Sequence, residues 1–76
     1  MKVEIFTKDG CKSSQRAKEF LARHRVRFVE HNLSIDAAAR AEHARIGYRG
    51  VPVIRAGERI IYGFREQAIG KLLGIS

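Results

Sequence analysis

The sequence predicts an α/β fold in which a four-stranded mixed sheet is flanked by three helices. Strand-like apolar segments alternate with amphipathic helix-like segments along most of the chain. The last two strand-like segments are separated only by a short turn that contains glycine. With 76 residues, the chain is long enough for one compact domain, 1–76, and too short for two.

The first half of the chain predicts a strand, a helix and a second strand. Residues 2–7 (KVEIFT) suit a buried strand that the Asp9-Gly10 turn signal ends. A helix is predicted from Ser13 onward, where one stripe at helical spacing comprises Ala17, Phe20, Leu21 and His24. Residues 26–33 (VRFVEHNL) return to β-branched and aromatic types, which predicts the second strand.

The second half predicts a helix, a hairpin and a final helix. Residues 34–47 have a helical pattern, with Ser34 as the N-cap, Asp36 in the first turn and Gly47 as the stop. Residues 51–62 form two short apolar segments that a glycine-containing turn joins into a hairpin. The last apolar stripe ends at Gly74 and comprises Ala68 or Phe64, then Ile69, Leu72 and Leu73.

The resulting order of elements is β-α-β-α-β-β-α. The first crossover makes a parallel pair of strands, and the hairpin makes an antiparallel pair. This arrangement is the thioredoxin fold. Loops that leave the carboxyl ends of its parallel strands form the usual ligand-facing edge, and Cys11 lies on such a loop.

Charge and cysteine content limit the partners and the location. The formal charge is +7, but the basic residues are spread from Lys2 to Lys71 without a block or a groove-reading motif. We therefore expect a solvated basic surface and no nucleic-acid partner.

No apolar run reaches the ~18 residues of a membrane span. A single cysteine forms no internal disulfide and the N-terminus lacks a secretory pattern, which predicts a cytoplasmic protein.

Cys11 is the candidate reactive group. The thiolate is the nucleophile in disulfide exchange, and a helix N-terminus and nearby cations both favour it. Lys8 and Lys12 would supply the cations, and the hydroxyl or amide of Ser13 or Ser14 would donate a hydrogen bond. The alternative is that Cys11 is an inert, small filler of the core.

The histidines do not suggest a metal site. His24, His31 and His43 have no metal-ligand spacing with one another or with Cys11. We therefore expect them to be surface or half-buried residues.

The chain resembles the glutaredoxin family over nearly its whole length. The shared features are TKDGC at 7–11 entering a helix, GVP at 50–52, and Gly63 eleven positions after the proline. Residues 46–67 (IGYRGVPVIRAGERIIYGFREQ) resemble the NrdH-type redoxins, which are small glutaredoxin-like electron donors to ribonucleotide reductase. The similarity includes an aromatic-Arg pair before the proline and Gly-Phe-Arg before the last helix.

The resemblance implies where a substrate docks. Val51 would precede Pro52 through a cis peptide bond and align the substrate disulfide. Gly63, Phe64 and Arg65 would lie beside them as further docking residues, although Phe64 could equally be core packing. Tyr48 and Arg49 are further candidates for contact with a partner, and the alternative for both arginines, Arg49 and Arg65, is that they are solvated.

The motif around the cysteine departs from the dithiol pattern. Where a dithiol redoxin has Cys-x-x-Cys, this chain has Cys11-Lys12-Ser13-Ser14. Ser14 occupies the position of the second cysteine, and we predict it as a catalytic residue together with Cys11, although it carries no thiol. Monothiol glutaredoxins have a serine there, and serine is also a common laboratory replacement for a resolving cysteine.

The predicted function is thiol–disulfide exchange through a mixed disulfide at Cys11, which an outside thiol resolves. The predicted partners are a disulfide-containing protein or glutathione, and the resemblance adds thioredoxin reductase or ribonucleotide reductase. Glutathione is a possible co-substrate, although Arg65 would repel its ammonium group. We expect a monomer with no permanently bound cofactor and no metal. The alternative is a non-catalytic binding or iron–sulfur carrier protein on the same scaffold.

Overall fold

The computed structural model describes residues 2–75. Four strands and three helices follow one another in the predicted order. They are β1 (Val3–Thr7), α1 (Lys12–Arg23), β2 (Val29–Asn32), α2 (Ala37–Ile46), β3 (Val53–Ala56), β4 (Arg59–Tyr62) and α3 (Glu66–Leu73).

The strands form one mixed sheet in the order β2-β1-β3-β4. β1 pairs with β2 in parallel, as a crossover through α1 requires. β1 and β3 are antiparallel, and so are β3 and β4, in which Ala56 pairs with Arg59 across a two-residue turn. The predicted thioredoxin fold is therefore confirmed.

The core lies on both faces of the sheet. Ile5 and Phe6 are adjacent and fully buried because successive side chains of a strand point to opposite faces. The face that α1 and α3 cover contains Val3, Ile5, Ala17, Phe20, Leu21, Ile54, Ala56 and Ile69. The face that α2 covers contains Phe6, Leu33, Ala39 and Val53. The predicted stripe of α1 is buried except at its end, where His24 is exposed.

The predicted N-cap of α2 is wrong. Asp36, not Ser34, caps the helix, because an Asp36 carboxylate oxygen accepts the backbone N–H of Ala39 at 3.1 Å. The Ser34 hydroxyl oxygen instead accepts the backbone N–H of Asp9 at 3.0 Å. The side chain of Asn32 also donates to Asp9, at 2.9 Å. The loop between β2 and α2 thus holds the loop that leads to Cys11.

An ion-pair network joins β1, β3 and α2 on one face of the sheet. Arg55 donates to both carboxylate oxygens of Glu4, at 2.9 and 3.0 Å, and to Glu42 on α2 at 2.8 Å. His31 on β2 lies 2.8 Å from Glu4 through Nε2. The Arg55 guanidinium also lies over the ring of Phe6, 5.3 Å from its centroid. These polar contacts tie the sheet to α2.

Candidate active site

Cys11 lies at the N-terminus of α1, on the loop that follows β1. It is the N-cap residue, with φ −88° and ψ 114°, and it is half-buried. The first turn of α1 contains no acidic residue. The positive end of the helix dipole therefore faces the thiol without a competing carboxylate in that turn.

The surroundings lower the pKa of Cys11 below its ordinary value. The largest cause is the hydroxyl of Ser14, followed by the backbone amide of Ser14, both of which favour the thiolate as hydrogen-bond donors. Partial burial opposes them and raises the pKa. The backbone amide of Ser13 and the charge of Lys8 lower it further. Lys12 is exposed at the first residue of α1 and is not among these main causes.

Ser14 is the residue that contributes most to the lowered pKa of the Cys11 thiol. Ser14 is 1% exposed, and its hydroxyl has no hydrogen-bond partner within residues 2–75. A buried hydroxyl without a partner costs about 1–3 kcal/mol. Ionisation of Cys11 would reduce that cost by giving the hydroxyl an acceptor, in keeping with Ser14 as the largest cause of the lowered pKa of Cys11.

The loop before β3 lies against the thiol. The Val51–Pro52 peptide bond is cis, and Cys11 Sγ lies 4.0 Å from the carbonyl oxygen of Val51. Pro52 is buried, and its carbonyl oxygen accepts the N–H of Gly63 at 2.8 Å. Gly63 has φ +82°, a conformation that glycine adopts without strain. The structure thus places the carbonyl of Val51 beside Cys11, and Gly63 next to Pro52 on the same loop.

His43 supports this loop, a role that the sequence did not reveal. It is 8% exposed, and its Nε2 lies 2.9 Å from the carbonyl oxygen of Gly50. It is more buried than the surface or half-buried position predicted for it. The sequence feature that could have predicted its burial is its spacing of four residues from Ala39, which places both residues on the inner face of α2.

Phe64 and Arg65 lie farther along the chain and have different environments. The ring of Phe64 packs against the core on the α1 and α3 face and meets Phe20 edge-on, with centroids 6.0 Å apart. Arg65 is exposed as the N-cap residue of α3. Of the two interpretations weighed for Phe64, core packing describes its position.

One cleft is lined by Cys11, and a second cleft shares only Lys8 with it. A cleft of about 290 Å³ is lined by Cys11, Ser14 and polar residues of α1 and β2 that include Lys18 and Glu30. A larger cleft of about 460 Å³ lies between Lys8 and the second half of α2. A disulfide therefore has room to reach the sulfur.

The described part of the chain contains neither a cluster of metal ligands nor a long apolar helix. Within residues 2–75, no three His, Cys, Asp or Glu side chains are grouped so that they could hold a metal ion. No helix in the same range is long and apolar enough to cross a membrane.

The fold and the placement of its thiol make this chain a member of the thioredoxin superfamily. The glutaredoxin family model matches residues 3–61, and the chain belongs to the glutaredoxin family. Members of this family carry out thiol–disulfide exchange.

Individual relatives agree with this assignment. The chain is 32% identical over 72 residues to an uncharacterised glutaredoxin-like protein of Clostridium pasteurianum, covering 93% of this chain and 96% of the relative. It is 27% identical over 70 residues to the glutaredoxin-like protein NrdH of Lactococcus lactis, covering 92% and 97% of the two chains. Among solved structures, NrdH-redoxin of Escherichia coli superposes with a TM-score of 0.80 at 30% identity, over 95% of each chain.

Proposed function

We propose that Cys11 is a nucleophile that exchanges with the disulfide of a partner protein or of glutathione. The observation that carries this proposal is the position of the sulfur between a buried donor and the loop before β3. Ser14 offers a buried hydroxyl that has no partner within residues 2–75, and Val51 offers a backbone carbonyl 4.0 Å from the sulfur.

In the first step, the Cys11 thiolate attacks one sulfur of the partner disulfide. A new S–S bond forms at Cys11, the old S–S bond breaks, and the second partner sulfur leaves as a thiolate that takes a proton from solvent. The backbone of Val51 is positioned to align the incoming chain, and Pro52 and Gly63 hold that backbone in place.

In the second step, a thiol from outside the chain must release the partner, because Cys11 is the only cysteine. The outside thiolate attacks the mixed disulfide and expels Cys11 as a thiolate. A second outside thiol then completes a two-electron reduction of the partner and leaves as part of a disulfide. Glutathione or another low-molecular-weight thiol would be this co-substrate, and the reducing cytoplasm is the compartment that supplies it.

Titration of the thiolate tests the proposal. Because the pKa of Cys11 is lowered, its thiolate should persist to lower pH than that of an ordinary cysteine with pKa ~8.5. The ultraviolet thiolate absorbance of the chain, with Cys11→Ser as the blank, should fall at correspondingly lower pH. The rate of alkylation should follow the same curve.

Two serine variants separate the effect of the Ser14 hydroxyl on the pKa of Cys11 from the effect of the backbone amides. Ser14→Ala removes the hydroxyl that contributes most, and we expect it to raise the pKa of Cys11 toward the ordinary value of a cysteine. Ser13→Ala is the matched control, because Ser13 acts through its backbone amide, which the substitution keeps. An unshifted pKa in the parent chain, or equal effects of the two variants, would contradict the proposed activation.

A further inference from the structure

The larger cleft, which begins at Lys8 three residues before Cys11, is basic. Its volume is about 460 Å³, and it extends from Lys8 past α2 to Tyr48 and Arg49. All charged residues that line it are cations, namely Lys8, Arg40 and Arg49, and no carboxylate is among its lining residues. A ligand that enters this cleft is therefore expected to be negatively charged.

The cations are available to a ligand. Within residues 2–75, the ion pairs involve neither Lys8 nor Arg49, and both side chains are exposed. Arg40 is partly engaged, because it donates to the carbonyl oxygen of Leu33 at 2.8 Å. Two of the three cations thus have their full hydrogen-bonding capacity free.

An exposed aromatic pair continues the cleft toward the end of β4. The rings of Tyr48 and Tyr62 lie 4.8 Å apart, and the two residues are 38% and 43% exposed. Exposed, adjacent tyrosines are common at protein interfaces, where they offer a large apolar surface together with a polar tip.

The aromatic pair is held next to the docking loop. Tyr48 lies against Gly50, where an added Cβ would come within 3.0 Å of the ring. The carbonyl of Gly50 is fixed by His43, and Val51 follows directly with its carbonyl 4.0 Å from the sulfur. Tyr62 pairs with Val53 at the start of β3, on the other side of the same loop. A chain that enters along the Val51 backbone would therefore meet these rings.

We propose that the cleft and the aromatic pair together dock an acidic polypeptide segment that flanks the disulfide of the partner protein. Its carboxylates pair with Lys8 and Arg49, and an apolar or aromatic side chain packs on Tyr48 and Tyr62. A small anion would use the cations alone and leave the aromatic surface exposed. The inference rests on the proposed function, since it names the class of substrate for the same thiol.

The test compares two synthetic peptides that carry the same internal disulfide. One has glutamates and a phenylalanine next to the disulfide, and the other has glutamines in place of the glutamates. The measured quantity is the second-order rate constant for mixed-disulfide formation at Cys11. At low ionic strength, the acidic peptide should react about tenfold faster. Added salt should reduce this preference.

Single substitutions test whether the preference for the acidic peptide arises at the proposed docking site. In Arg49→Gln, the preference for the acidic peptide should fall to about threefold, as expected for the loss of one exposed charge pair. Arg23→Gln is the matched control, because it removes the same charge from an exposed residue at the far end of α1. It should leave the preference unchanged. Tyr48→Ala should slow the reaction with both peptides severalfold, because the apolar contact is shared.

The outcomes separate this inference from the proposed function. Equal rates for the two peptides, or equal effects of Arg49→Gln and Arg23→Gln, would overturn the docking site. A larger effect of Arg49→Gln on glutathione disulfide than on the acidic peptide would overturn the polypeptide as occupant. Reaction with a small neutral disulfide but no preference between peptides would remove only this inference. A Cys11 that reacts with no disulfide would remove both.

Discussion

Ser14→Cys is expected to shorten the lifetime of the mixed disulfide at Cys11 by at least about 100-fold. Residues 11 and 14 are neighbours on the first turn of α1, so a thiol at position 14 would attack the Cys11 sulfur within the same molecule. The variant would release the partner as a thiol and form an internal disulfide between Cys11 and the new thiol. The present chain has no thiol that can do this and must wait for one from outside.

Mass spectrometry measures this difference directly. The chain is first converted to its mixed disulfide with glutathione disulfide, and the adduct is then followed over time without added thiol. The adduct should accumulate in the parent chain and decay quickly in Ser14→Cys. A thioredoxin reductase system added to both proteins shows whether only the dithiol form can be reduced by an enzyme.

Ser13→Cys is the control for this experiment. It adds the same thiol two positions from Cys11, where side chains of a helix do not face each other, and Ser13 is exposed. Equal decay of the adduct in Ser13→Cys and Ser14→Cys would show that position 14 has no special access to the sulfur. Failure of the parent chain to form the adduct would count against Cys11 as a nucleophile.

Glu4→Gln is expected to lower the free energy of unfolding by about 3 kcal/mol near neutral pH. The Glu4 side chain is 13% exposed, and Arg55 and His31 hold its pKa at about 2, against an ordinary value of 4.5. A carboxyl group whose pKa is lower in the folded protein stabilises the fold above its unfolded pKa. That contribution is lost as pH falls from about 4.5 toward about 2.

Urea unfolding at a series of pH values tests this prediction. The parent chain and Glu4→Gln should differ most near neutral pH and converge as pH falls toward 2. Glu58→Gln is the matched control, because Glu58 is exposed in the hairpin turn and forms no ion pair within residues 2–75. It should change stability by less than about 0.5 kcal/mol. A difference that persists at acid pH would contradict the linkage to Glu4.

The sequence sufficed for the fold because the local signals agree with one another. The alternation of strand-like and helix-like segments, the turn at 56–59 and the glycine stops each specify a local conformation. The motif around Cys11 also pointed to the site, because a helix N-terminus is a local feature. The cap of α2 was misplaced because Ser34 and Asp36 are both good caps, and the choice depended on which one the Asp9 loop engages.

The parts of the site that come from distant positions in the chain could not be predicted from spacing. His43 is one residue among three histidines in the sequence, and only the packing of α2 places it on Gly50. Likewise, Tyr48 and Tyr62 are separated by a whole hairpin, and the sheet brings their rings together. Glu4 and Glu42 meet Arg55 for the same reason.

By itself, the sequence determined the order of elements, the placement of one thiol at a helix N-terminus, and the lack of a second thiol to resolve its adducts. These follow from local propensity and from counting cysteines. Only the tertiary structure decided which groups surround the sulfur and which cations line the neighbouring cleft. The physical reason is that side-chain contacts between distant segments depend on strand register and helix packing, which short-range patterns do not encode.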